Sequence, residues 1–253
     1  MSSMPIIPKG FIQAIRTILP KTGIIEDISR RRAHATDASF YQLIPQLVLQ
    51  ISSIEQMQAV LKASHTHHVS VTFRAAGTSL SGQAVTNSVL LLLDSHWRGH
   101  EIINNGEQIR LQPGVIGAQA NQYLAPYHRK IGPDPASINT CKIGGIAANN
   151  ASGMCCGVAN NTFYTLAGMT IILADGTCVD TSDANSVSAF NASHAELLRQ
   201  IKDLGTTVQG DAELSALIAH KYRLKNTTGY AINALTDYSD PLEILVHLMV
   251  GSE

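Results

Sequence analysis

Ten residues, Arg74-Ala75-Ala76-Gly77-Thr78-Ser79-Leu80-Ser81-Gly82-Gln83, restrict this chain more than any other segment. They stand between two runs that read as strands. Val69-Ser70-Val71-Thr72-Phe73 alternates and is β-branched, and Val89-Leu90-Leu91-Leu92-Leu93-Asp94 is apolar throughout. Gly77 and Gly82 open backbone conformations closed to other residues. Successive amide N–H groups in such a loop form a concavity for an anion, and the hydroxyls of Thr78, Ser79 and Ser81 add donors. Arg74 at the entrance can supply charge. The arrangement suits a diphosphate, yet it is not G-x-G-x-x-G and it lacks the lysine of a P-loop. Taken alone, the segment also reads as a plain turn of small residues.

The surrounding pattern is mixed. Phe11, Ile12, Ile15, Ile18 and Leu19 recur at helical spacing, so residues 1–30 are expected to form a helical arm. Gln46–Ile51 reads as a strand after Pro45, and Ser53 can cap a helix carrying Met57, Val60 and Leu61. Ile102-Ile103 and Ile109-Arg110-Leu111 flank Asn104-Asn105-Gly106, a strong hairpin signal. A helix is expected near Ile116–Leu124, a strand over Thr170–Ala174 with its turn at Asp175-Gly176, helices over Ala195–Leu204 and Leu214–Ala219, and a last strand over Leu245–Val250. The order is not a clean β-α-β-α alternation, so an α+β fold of two lobes fits better than a doubly wound sheet.

Composition narrows the class. The 253 residues suffice for a real core without staples. Eighteen Lys+Arg against nineteen Asp+Glu leave a charge of −1, which argues against a nucleic-acid partner. No run of eighteen apolar residues exists to span a membrane. The first twenty residues lack the layout of a secretory signal, so a cytoplasmic location is expected. Cys141, Cys155, Cys156 and Cys178 form no C-x-x-C and are read as reduced thiols. At 15% the charged content is low, which suggests that a ligand, a partner or a further domain covers much of the surface.

A second small-residue stretch spans 132–161. It holds Gly132-Pro133-Asp134-Pro135-Ala136-Ser137 and Ile143-Gly144-Gly145-Ile146-Ala147-Ala148-Asn149-Asn150-Ala151-Ser152-Gly153. The prolines fix an extended turn, and the small residues let a chain run flat against a planar group. So long an irregular segment with few charges is expected to be functional.

Together these pieces resemble the PCMH-type FAD-binding domain of the vanillyl-alcohol-oxidase family, in the branch of D-lactate, glycolate and D-2-hydroxyglutarate dehydrogenases. The matching segments run in family order: Thr36-Asp37-Ala38-Ser39 with Tyr41 and Pro45, R-A-A-G-T-S-L-S-G-Q at 74–83, Q-P-G-V at 112–115, G-P-D-P-A-S at 132–137, I-G-G-I-A-A-N-N-A-S-G at 143–153, L-A-D-G-T at 173–177, K-N-T-T-G-Y at 225–230 and H-L-M-V-G-S-E at 247–253.

The resemblance implies a PCMH-type α+β fold of two α/β lobes with FAD between them: 1–30 an arm, 31–98 the first lobe and 99–253 the second. It implies that Arg74, Ala76, Gly77, Thr78, Ser79, Leu80, Ser81, Gly82 and Gln83 wrap the FAD pyrophosphate. Pro133, Asp134, Ser137, Gly144 and Gly145, continued by Asn149, Ala151, Ser152 and Gly153, would line the flavin and ribityl region. Where relatives with covalent flavin carry histidine, this chain has Thr78, so non-covalent FAD is expected; Ala76 replaces a frequent family glycine. The implied activity is hydride transfer from the α-carbon of a D-2-hydroxy acid to flavin N5. Electrons would pass to an iron–sulfur centre or a quinone outside this chain, in the cytoplasm or peripheral to the inner membrane. In long family members H-L-M-V-G-S-E leads into a cap domain and then iron–sulfur motifs. The chain is therefore expected to be the FAD domain of a longer protein, with its catalytic base and any metal ligands elsewhere. The rivals are a nicotinamide-dependent reductase of the same fold and a non-catalytic flavin-binding module.

Other residues receive plainer readings. His65, His67 and His68 are taken as a solvated loop rather than a metal site, and Arg30-Arg31-Arg32 as a solvated face. Cys155 and Cys156 are read as packing. Lys225, Asn226 and Tyr230 are either flavin-side contacts or a surface turn ended by Gly229, and Trp97 has no assigned role.

Overall fold

The computed structural model describes residues 6–226 and 229–252. Thr227 and Thr228 of the K-N-T-T-G-Y segment, Glu253 and the first five residues lie outside the described residues. The elements in chain order are α1 (Lys9–Ile18), β1 (Ile24–Ile25), α2 (Ile28–Arg32), β2 (Leu47–Ile51), α3 (Ile54–Thr66), β3 (Val71–Arg74), β4 (Val89–Leu93), β5 (His100–Ile103), β6 (Gln108–Leu111), α4 (Gly117–Leu124), α5 (Ile143–Ala148), α6 (Thr162–Thr165), β7 (Thr170–Ile172), β8 (Cys178–Asp180), α7 (Ala184–Ser193), α8 (Ala195–Gly210), α9 (Ala212–Lys221), α10 (Ala234–Asp237) and α11 (Pro241–Met249). The chain divides into two compact units.

The first unit takes the residues up to Tyr127, with Asn139–Gly144 and Ile172–Cys178. Its centre is a four-stranded sheet in the order β1-β2-β4-β3, with β4 parallel to both β2 and β3. Leu47 pairs with Val89, Leu49 with Leu91 and Ile51 with Leu93, so alternate residues share a face. Leu47, Leu49, Ile51, Val89 and Leu91 pack with Phe11 and Ile15 of α1 and with Met57, Val60 and Leu61 of α3. Val48 and Leu90 are buried on the opposite face with Ile25. A parallel sheet covered on both sides reads as continuous apolar runs, which is why β2 and β4 were legible. Ser53 caps α3 by accepting from the Gln56 amide.

Trp97 closes this core: its indole N–H donates to the Ile51 carbonyl at 2.8 Å, and its own carbonyl accepts from Gly114 at 2.9 Å. These bonds, with that from the Gly99 amide to the Gln112 side chain at 2.7 Å, tie the β5–β6 hairpin to the first unit. The sequence boundary at 98/99 therefore differs from this division, which keeps residues 99–127 with the sheet. Arg31 donates to the Glu26 and Pro45 carbonyls, while Arg30 and Arg32 are exposed.

The second unit comprises His128–Ile138, Gly145–Ile171 and the residues from Val179 on. It is mainly helical, with α8 packed against α10 and α11. Gly205 of α8 admits Ile244 so closely that a Cβ there would stand 3.2 Å from Ile244 Cδ1.

Two local expectations are corrected. Leu245–Val250 is not a strand; Pro241–Met249 is helical. Asp240 accepts from the amides of Leu242 and Glu243, Pro241 occupies the first turn, and Leu242, Ile244, Leu245, Val246 and His247 are all buried. An apolar run without alternation fits a buried helix as well as a strand, and the cap decides. Likewise, 143–148 does not run flat but forms α5.

Candidate functional site

β3 is an edge strand and ends at Arg74, where the loop begins. Gly77 and Gly82 adopt φ of +70° and +80°. Between them the backbone turns without forming a ladder. Among the described residues, the amides of Ala76, Gly77, Thr78, Ser79, Leu80, Gly82 and Gln83 donate to no protein acceptor. The Ser81 amide is satisfied locally by the Ser79 hydroxyl at 3.3 Å, and that hydroxyl also bonds the Gln83 side chain. Seven unspent donors on eight successive residues are a polar surface that protein folding normally leaves to a partner or to water.

Arg74 is not free to face such a partner. Its guanidinium donates to the Ala84 carbonyl at 2.8 and 2.5 Å and to the His34 carbonyl at 3.0 Å. Burial lowers its pKa, with Asp37 opposing. Asp37 in turn accepts from the Ser39 amide at 2.8 Å and the Ser39 hydroxyl at 2.5 Å. Burial pushes the Asp37 carboxyl up. Ser39, the Ala84 amide and Arg74 together outweigh it and hold the group below its ordinary value. The ring of His34 is driven down by burial, then by Arg74 and Arg30. Arg74 thus braces the loop against the Ala84 and His34 carbonyls.

The segment 36–42 folds over this loop. Thr36 and Gln42 form an isolated antiparallel bridge, and the Ala38 amide donates to the Gly77 carbonyl at 2.9 Å. The Tyr41 ring covers Gly82, where a Cβ would stand 2.6 Å from Cδ2. None of these contacts is visible in a loop motif; the only signal was that Thr36–Ser39 and Tyr41 preceded it.

The second stretch uses its small residues differently. Asn150 adopts φ of +45°, its amide donates to the Ala147 carbonyl at 3.0 Å, and the Ala151 amide donates to the Ile146 carbonyl at 2.9 Å. This is a Schellman cap that ends α5. The Asn150 side chain accepts from the Phe163 amide at 3.2 Å. A Cβ on Gly153 would overlap the Asp134 carbonyl, and one on Gly132 would stand 2.5 Å from the Asn160 carbonyl oxygen. The two glycine segments therefore cross in backbone contact.

Pro133 and Ser152 are buried; Asp134, Ser137, Asn149 and Ala151 are half-buried. Asp134 lies 3.5 Å from Lys130. Lys225 donates to the Ser152 carbonyl at 3.0 Å, and the Gly251 amide to the Ala147 carbonyl at 3.1 Å. The last two family motifs thus reach the 147–152 backbone. In the first unit, Gly144 donates to the Pro113 carbonyl at 2.9 Å, close enough that a Cβ would meet the Pro113 ring at 3.0 Å. Gly145 lies within α5 and accepts from the Asn149 amide.

A cavity of about 200 Å³ in the second unit is lined by Lys130, Ile131, Gly132, Cys155, Cys156 and Asn160. The buried Cys156 thiol accepts from the Gly153 amide at 3.0 Å, which ties it to the glycine crossing. Another of about 260 Å³ in the first unit includes His65 and His68. Among the described residues, no three His, Cys, Asp or Glu side chains converge into a metal-binding group, and no helix is long and apolar enough to cross a membrane.

Sequence patterns gave His247 no role beyond a motif letter. It is 3% exposed, its Nδ1 lies 2.8 Å from the Glu243 carbonyl, and its Nε2 lies 2.9 Å from the Tyr238 hydroxyl. A carbonyl only accepts, so Nδ1 donates and Nε2 accepts the tyrosine proton. The rings of His247 and Tyr238 stack at 4.0 Å, with Phe163 edge-on at 4.9 Å. Burial, then Asp237, Glu243 and Tyr164, raise the Tyr238 pKa and keep its proton in place. The cluster clamps α11 within the second unit.

Comparison with known proteins gives these features a context. The sequence profile described as "FAD binding domain" matches residues 45–182, more than half of the chain. D-2-hydroxyglutarate dehydrogenase of Haemophilus influenzae is 28% identical over 91% of this chain and 23% of the relative. Glycolate oxidase subunit GlcD of Escherichia coli K12 is 33% identical over 65% of this chain and 34% of the relative. The chain thus spans 23% and 34% of the length of these two curated relatives. Among solved structures, an alkyldihydroxyacetonephosphate synthase superposes with a TM-score of 0.59 at 15% identity, covering 74% of this chain and 39% of that one. A chitooligosaccharide oxidase does so with 0.56 at 17%, covering 71% and 38%. At such identities the likeness is one of fold.

Proposed function

Because this chain belongs to the FAD binding domain family, we propose that it holds FAD non-covalently, with the pyrophosphate on the amides of residues 76–83. The observation that carries the reading is the run of seven donors without a protein acceptor between and beside two glycines of positive φ. The residues fit the group: a diphosphate needs several convergent N–H donors and tolerates neutral surroundings when they are present. Here Arg74 is spent on carbonyls. The Thr78 and Ser81 hydroxyls complete the donor set. Thr78 offers no imidazole for a covalent link, so acid precipitation of the loaded protein is expected to release all its flavin.

The matches to D-2-hydroxyglutarate dehydrogenase and GlcD support a D-2-hydroxy acid as substrate class. When bound, FAD supplies a two-electron acceptor for the hydride of the substrate's α-carbon while a base takes the hydroxyl proton. This chain's own part is to bind and orient. The residues 132–137 and 144–153, pinned by the Gly153–Asp134 crossing, Lys225 and Gly251, offer a rigid wall for the flavin half.

Titration of the purified chain with FAD, followed by flavin fluorescence and visible absorbance, tests the cofactor. Saturable binding is expected; a chain that stays colourless with excess FAD overturns the reading. The substrate class is read without oxygen on the full-length flavin-loaded protein, which carries this domain together with the segment that supplies the base, by adding D-lactate, glycolate or D-2-hydroxyglutarate. Bleaching of the visible flavin band by one of them supports it, and bleaching by none removes it.

A further inference from the structure

The turn over the loop presents two aromatic rings to solvent. Phe40 is 87% exposed and Tyr41 49%, with ring centroids 4.6 Å apart and planes 33° from parallel. Leu80, at the loop's tip, is 74% exposed. Yet the backbone carrying the rings is firmly held. The Thr36–Gln42 bridge closes it, the Leu43 amide donates to the Ala35 carbonyl at 3.0 Å, and the Tyr41 amide donates to the Ser39 hydroxyl at 3.1 Å. The Ala38–Gly77 bond and the Tyr41–Gly82 contact then lock the turn onto both glycines of the loop. A pinned turn that holds a phenyl ring in water forgoes the stabilisation that burying it would bring. Aromatic faces beside a donor-rich loop are the pair of features that a nucleoside phosphate uses, one for the base and one for the anion.

We propose that Phe40 and Tyr41 form the stacking platform for the adenine of FAD, beside the amide loop that takes its pyrophosphate. The inference rests on the FAD reading above and adds residues outside the loop. It follows from connectivity: only a ribose separates the adenine from the diphosphate, and Tyr41 already touches the Gly82 end of the loop. Stacking of a base on an aromatic ring is sequence-tolerant and substantial.

The test compares FAD, ADP and FMN on the unchanged chain and on Phe40→Ala, with circular dichroism and thermal melting as folding controls. Phe40 is 87% exposed, so Phe40→Ala is expected to fold normally. FAD and ADP should bind it about tenfold more weakly, with FMN unchanged and Phe40→Trp restoring the loss. Unaltered FAD and ADP affinity in Phe40→Ala overturns the platform while leaving the FAD reading intact. Equal weakening of FMN also overturns it, because FMN carries no adenine. Failure of the unchanged chain to bind FAD overturns both.

Discussion

The 74–83 loop and the 132–161 stretch are both rich in glycine, and glycine does opposite work in them. In the loop, Gly77 and Gly82 supply positive φ, and the turn they allow leaves seven amides unspent. In the stretch, Gly132 and Gly153 supply the absence of a side chain, so that backbones cross in contact. At the end of α5 the amides are consumed: Asn149, Asn150 and Ala151 donate to helix carbonyls and Gly153 to the Cys156 thiol. The loop leaves its donors exposed, whereas the chain that ends α5 spends them. Glycine content alone therefore does not say what a segment can hold; the hydrogen-bond account separates a loop able to take an anion from a packed wall.

Substitution at each kind of glycine tests this contrast. The largest effect is expected for Gly153→Ala, whose methyl would overlap the Asp134 carbonyl. It should cost more than about 3 kcal/mol, read as a lower urea midpoint or loss of soluble protein. A cost within about 1 kcal/mol would show that the crossing yields easily. Gly82→Ala, at φ +80°, should cost only about 1–2 kcal/mol of stability. Its FAD affinity should fall more than tenfold, because the new methyl meets the Tyr41 ring and re-aims neighbouring amides. An unchanged affinity would detach the loop geometry from binding.

The smallest effect concerns the first unit alone. The folded-state pKa of His34 lies below its ordinary 6.5, so folding favours the neutral ring. Its contribution is complete above pH 6.5 and is lost as pH falls through the lowered value. Asp37 lies below its ordinary 3.8, so its contribution is complete above that pH and is lost as pH falls further. Urea midpoints against pH should show a shallow decline beginning below 6.5 and a second below 3.8. His34→Gln should remove only the first.

Much of the fold was legible because its signals are short-range. Ser53 caps α3 within its own first turn, and the turn residues Asn104 and Asn105 adopt φ of +49° and +52° between paired strands. By apolar content alone the segment 241–249 reads as a strand, and only the Asp240-Pro241 cap marks it as a helix. α5 leaves no signal in the sequence, because a six-residue helix of Gly, Ile and Ala has no periodicity to show. The loop itself was legible as a candidate, but not the turn over it: Asp37, Phe40 and Tyr41 lie more than thirty residues upstream.

The sequence by itself determined the central strands β2, β3 and β4, the Ser53 cap, the two glycine segments and, through the order of motifs, the family. Those follow from φ/ψ preferences and bonds made within a few residues. Tertiary structure decided which polar groups remained available. Arg74 was committed by His34, forty residues away, and the Ser152 carbonyl by Lys225, seventy-three away. A donor's fate depends on which distant acceptor reaches it first, and no local pattern encodes that distance.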